Sequence, residues 1–127
     1  MNMFRAWSAK TKEMIYIDDF YWFEENGVHD FNGSGHYDSY IIMKASGLPD
    51  KNQDEIYEGD ILECEDRIVY VAWHEECGTW DCKFIKYIND LCSNGIMPVE
   101  WKYRAKKIGN IYENPELLKP YNPDYES

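Results

Sequence analysis

The chain has 127 residues, 44% hydrophobic and 17% aromatic, with 13 basic against 24 acidic side chains for a net charge of −11. That length suits one domain and buries roughly two-thirds of the unfolded chain's surface, and the ring content excludes disorder. The acidity disfavours sequence-independent binding to nucleic-acid phosphates, and no apolar run approaches the roughly 20 residues of a membrane helix.

In chain order, FRAW (Phe4 to Trp7) and MIYI (Met14 to Ile17) flank a polar connection and read as a hairpin. The stretch from Asp18 to Asp38 is ring-rich without a clean period. Its Asn26-Gly27 and Asn32-Gly33 pairs mark turns, and Asn32 to His36 a loop. YIIMK (Tyr40 to Lys44) reads as a strand, followed by a turn through Gly47, Pro49 and Asn52. Next comes a three-stranded meander: Asp60 to Glu65, Arg67 to Trp73 and Thr79 to Ile85, with Trp80, Cys82 and Phe84 on one face. Gly78, closing its second connection, is placed to take positive φ. Ile85, Ile88 and Leu91 or Cys92 fit one or two helical turns. VEWKY (Val99 to Tyr103) and KKIGNI (Lys106 to Ile111) read as closing strands.

Two stretches share words: EIYEGDIL from Glu55 and NIYENPELL from Asn110. In the first, Gly59 relaxes the backbone at a tight turn and Asp60 can bond the turn's own amides. In the second, Asn114 is a preferred N-cap, Pro115 suits the first helical position, Glu116 favours the helix dipole and Pro120 stops the helix. Similarity ends there, so no duplication is read. Residues 119–127 form a frayed tail.

Charge is uneven: 4 basic against 8 acidic residues over 1–50, 4 against 11 over 51–92, and 5 against 5 over 93–127. The last segment holds WKYRAKK, in which Trp101, Lys102, Tyr103, Arg104, Lys106 and Lys107 could contact phosphate and stack bases. The favoured reading is a solvated strand edge guarded by lysines. The alternative is a regulator that contacts nucleic acid, or whose acidic block mimics it to occupy a host protein.

Metal chemistry is weakly signalled. Asp50, Asn52, Asp54 and Glu58 match a calcium loop at positions 1, 3, 5 and 9. The demanding glycine and bidentate glutamate are replaced by Glu55 and Ile61. His74, Cys77 and Cys82, beside Glu75 and Glu76, are zinc-type ligands without the close-spaced pairs of a structural site. No catalytic set, nucleophile elbow, phosphate loop or cofactor motif is found. Without a visible leader a cytoplasmic protein is expected, in which the cysteines at 64, 77, 82 and 92 stay reduced.

FRAW, MIYIDDF, SGLPDKNQDEIYEGDIL, the Val71-to-Trp73 strand and IGNIYENPELL, in that order over nearly the whole chain, resemble the YopX family of phage and prophage proteins. The resemblance implies an α+β fold containing a small SH3-like barrel, a tendency to assemble and no assigned chemistry. On it, the chain is a single domain over 1–127. An N-terminal hairpin portion covers 1–50 and a barrel portion 51–118, the barrel built from the 56–112 meander and followed by a short C-terminal helix. The family's turn before IYEGD usually reads Lys-Asn-Gly, whereas Gln53 follows Asn52 here. The expected function is that of a non-enzymatic, self-associating interaction protein of a bacterial host's cytoplasm, partnered by itself or by a host or phage protein. Tyr57, Gly59, Asp60, Gly109, Tyr112, Asn114 and Pro115 are its expected structural anchors.

Overall fold

The computed structural model describes residues 2–65, 67–74, 76–87 and 97–119, and its strands form two antiparallel sheets. The opening hairpin stands as read: β1 (Phe4–Ser8) pairs with β2 (Glu13–Ile17), Phe4 opposite Ile17 and Ser8 opposite Glu13. Alternation along β1 sends Phe4 and Ala6 to one face of the sheet, Arg5 and Trp7 to the other. The aperiodic, ring-rich stretch covers the first face. It contains a five-residue helix α1 (Tyr21–Glu25), too short to display a helical pattern, and strand β3 (Gly35–Tyr37). Phe23 and Val28 pack there on Ala6, Ile17 and Ile42, and the Phe23 ring stacks on Phe31 at 4.1 Å.

Strand β4 (Tyr40–Pro49) pairs with β1, Arg5 opposite Met43 and Ala6 opposite Ile42, and does not stop at Lys44. Gly47, at φ +79°, takes the irregular step, and the far half of β4 pairs with β5 (Glu55–Tyr57). Of the expected turn through Gly47, Pro49 and Asn52, the first two residues lie on strand β4, and Pro49, which lacks an N–H, sits at the strand end where none is needed. The reversal falls at 50–54.

The second sheet sets β8 (Thr79–Tyr87) beside β7 (Arg67–His74), β7 beside β6 (Asp60–Cys64) and β6 beside β9 (Ala105–Asn110). The meander is present as β6, β7 and β8, and β9 returns beside β6. One face of this sheet buries Leu62, Cys64, Val69 and Val71 with Ile56 and Trp101. The other buries Ile61, Ile68 and Ile85, partly covered by Ile111, Leu117 and Leu118. The order is open at β8 and β9, and among the described residues the pairing traces no closed barrel.

VEWKY is not a strand. Pro98–Glu100 is a 3-10 turn running into α2 (Trp101–Arg104). Proline at the first helical position starts it, the Glu100–Arg104 pair four residues apart braces it, and Trp101 anchors it with no exposed surface. Of KKIGNI, Lys106 to Asn110 lie on β9. The C-terminal helix is one 3-10 turn, Pro115–Leu118, with Pro115 first. The helical reading of Ile85 to Cys92 meets strand as far as Tyr87, and its remainder lies outside the described residues, as does the tail from Pro120.

Candidate functional site: a buried charge cluster

The outward faces of β1 and β4 meet the head of β6, and there the chain buries charge. Arg5 and Asp60 are 1% and 0% exposed, and Arg5 Nη2 lies 2.8 Å from Asp60 Oδ1. That contact is an ion pair without hydrogen-bond alignment, because Oδ1 accepts no well-angled hydrogen bond among the described residues. The guanidinium instead donates from Nη2 to the Glu58 carbonyl at 3.1 Å. Asp60 Oδ2 accepts from the backbone N–H of Tyr57 at 2.7 Å and has Lys107 Nζ 3.3 Å away. Lys107, on β9, also donates to the Glu55 carbonyl. The aspartate thus bonds an amide of its own turn, and two cations from distant strands close on it.

Local sequence explains how Asp60 arrives. Gly59 sits at φ +89°, where a side chain is strained, and an added Cβ would come 3.3 Å from Met43 Sδ. Only glycine fits the bend that points Asp60 inward. Tyr57 lies between the sheets, its phenol donating to the Asn2 carbonyl at 2.6 Å and Arg5 Cζ standing 4.8 Å from its ring centre. Burial first, then the Glu55 carboxylate, pushes that phenol up to about 12. The Tyr112 ring stacks on Trp7 at 6.0 Å beside Gly59, and burial raises its phenol too.

A second carboxylate joins the sheets. Asp50, 1% exposed, accepts from the N–H groups of Asn52 and Asp54 through Oδ1 and of Lys107 through Oδ2, each at 2.9 Å. Both oxygens are occupied, so the calcium-like spacing is a turn tied to the edge of β9. Gln53, within that turn, adopts φ +68°, the left-handed conformation that glycine would take at least cost.

Asn114 departs from its expected role. Its side chain makes no cap bond to the turn it precedes. Oδ1 instead accepts from the Asn110 N–H at 3.1 Å and occupies the space a Cβ on Gly109 would need, 2.4 Å away. The backbone returns sharply after β9, which brings this amide closer to Asn110 than to the N–H groups ahead of it. Asn110 Oδ1 accepts in turn from Tyr112 and Glu113.

The basic stretch divides. Trp101 is wholly buried, Arg104 pairs with Glu65 and Glu100, and Lys107 faces Asp60, leaving Lys102, Tyr103 and Lys106 toward solvent. His74, Cys77 and Cys82 are not brought together. His74 faces Thr79 across the hairpin, Cys77 is exposed at its tip, and Cys82 packs inward near Cys64. Burial pushes Cys64 up to about 12 and Cys82 up to about 11. The Trp101 indole N–H favours the Cys82 thiolate electrostatically, yet it finds no acceptor of hydrogen-bonding geometry among the described residues. Among the described residues no three His, Cys, Asp or Glu side chains converge as metal ligands; Glu75 and Cys92 lie outside them. No helix there is long and apolar enough to cross a membrane.

Chemically, the cluster is a clamp between strands. Asp60 is fully buried, and although a hollow of about 180 Å³ lined by Met43, Glu58, Gly59 and Tyr112 opens beside its turn, the carboxylate does not line it. Larger hollows lie elsewhere. One of about 330 Å³ is lined by Cys64, Trp80, Cys82, Phe84 and Met97, and one of about 310 Å³ by Met3, Phe4, Ile17, Phe20 and Phe23. Sequence reasoning found Asp60 and missed Arg5 and Lys107. The available signal was a lone arginine within the otherwise apolar run FRAW.

The family model described as YopX protein matches residues 3–119. The crystal structure of protein EF1440 from Enterococcus faecalis is similar at 28% identity and a TM-score of 0.59, covering 94% of this chain and 99% of that one. A comparison with curated proteins gives no match.

Proposed function

The chain belongs to the YopX family, and from that premise we propose that it is a non-enzymatic, self-associating interaction module of phage or prophage origin, working inside a bacterial host. The observation that supports this reading most is apolar surface left outside the core. Phe20, Tyr21 and Met3 on one side, and Phe84, Met97, Val99 and Tyr103 on another, are each more than half exposed. Rings and methionines are the residue types that interfaces collect. The buried carboxylates meanwhile hold strands together and face no cleft.

An SH3-like character of the 51–118 portion belongs to the same reading. Leu48 of β4, Ile56 of β5 and Trp101 of α2 pack on the Leu62 and Val71 face of the second sheet, bringing the far half of β4 toward the meander. The nucleic-acid alternative is left with Lys102, Tyr103 and Lys106, a small footprint for phosphate binding. Light scattering on the purified chain at micromolar concentration tests the proposal. A particle heavier than one chain is expected, and a clean single-chain mass removes self-association.

A further inference from the structure

We propose that copies join groove to turn, the acidic hollows flanking Phe20 of one copy receiving the turn Val99–Tyr103 of another, which offers the Lys102 ammonium while Glu100 is held by Arg104. This rests on the self-association proposed above and names its two faces. Phe20, 65% exposed, stands between hollows of about 310 and 300 Å³ that share Phe20 and Phe23. Phe4, Phe23 and Phe31 give them an apolar lining, and Asp18, Asp19 and Glu24 line them as well, with His29. Asp18 accepts from the Asn2 amide and Asp19 from the Tyr21 N–H, both neutral donors. No described cation pairs with these carboxylates, so the groove keeps its negative field and suits a cationic guest carrying an apolar side chain.

The chain itself carries such a guest. Val99, Lys102 and Tyr103 follow helical spacing and share one side of the turn, with Val99 65% and Tyr103 72% exposed. The Lys102 ammonium lies 5.0 Å from the centre of the Tyr103 ring, and no described carboxylate pairs with it, whereas neighbouring Arg104 is held by two. The groove and the turn share no residue. A two-fold contact of groove on groove would set carboxylates against carboxylates, so the charges favour groove on turn. Groove-on-turn contacts either reciprocate across a two-fold axis or run on from copy to copy into rings or filaments.

The test uses the full chain and light scattering at low salt. Wild type is expected above single-chain mass. Asp18→Lys/Glu24→Lys, Lys102→Glu, which keeps the Tyr103 ring, and the milder Phe20→Ser should each fall to single-chain mass with unchanged urea midpoints. Mixing the two charge-reversed proteins should restore the heavy particle, because each then offers the other a complementary pair. If the variants keep the wild-type mass, the faces named here are wrong and self-association stands. If the mixture stays at single-chain mass, the charge pairing is overturned. A single-chain wild type overturns both proposals.

Discussion

Asp60→Asn tests the clamp most directly. The substitution keeps side-chain volume, and an amide oxygen could still accept from the Tyr57 N–H, so the change is chiefly one of charge. It leaves the Arg5 guanidinium 1% exposed and without its carboxylate, whereas Lys107, 22% exposed, can turn its ammonium to water. Breaking a buried pair on one side costs about 3–5 kcal/mol. Against a domain stability of about 5–15 kcal/mol that is a large fraction. With a urea slope of about 2 kcal/mol/M the unfolding midpoint should drop by about 2 M. Urea titration followed by tryptophan fluorescence reads this directly. Arg5→Met combined with Asp60→Asn should recover much of the loss, because it removes the stranded guanidinium while the amide oxygen still accepts from the Tyr57 N–H. An Asp60→Asn midpoint within about 0.25 M of wild type, about 0.5 kcal/mol at that slope, would refute the clamp, since that is the range of an uninvolved surface site.

Three further outcomes follow from the same geometry. Gly109→Ala should cost about 1–2 kcal/mol by evicting the Asn114 amide from Asn110, and little in an Asn114→Ala background; additive losses in that double-mutant cycle would contradict the contact. Gln53→Gly should relieve about 1 kcal/mol of left-handed strain and raise the melting temperature by about 3 °C, whereas a lower melting temperature would count against the turn described. Tyr57, Cys64 and Cys82 have folded values near 12, 12 and 11, above ordinary ones of 10.0, 9.0 and 9.0. The fold favours each neutral form, so their stabilisation is full below about pH 9 and is lost as pH rises through the folded values. Urea midpoints that stay level up to about pH 11 would sink this assignment.

What could be read from the sequence was local. The hairpin of FRAW and MIYI, the meander and the Gly59-Asp60 turn each announce themselves by alternation and turn residues within a few positions. Val99 to Tyr103 misled because valine, tryptophan and tyrosine favour strands. The helical evidence was there in Pro98 and in the Glu100 and Arg104 spacing, and the burial of Trp101 settles the conformation. Asn114 misled differently: a cap motif predicts a partner ahead, and the partner is behind, beside a glycine five residues upstream. The charge cluster was illegible because Arg5, Asp60 and Lys107 come from three strands. Local pattern distinguishes a solvated acid from a buried one poorly when its counter-ions arrive from about 50 residues away in either direction.

The place of β9 beside β6 has a consequence for synthesis. The last of the described strands is the one that completes the second sheet, so while the chain leaves the ribosome the Asp60–Cys64 strand waits with one side unpaired. Such a bare edge invites pairing with another nascent chain. Polypeptides truncated before Ala105 should therefore be collected as aggregates, even though nearly all of the meander has already been translated.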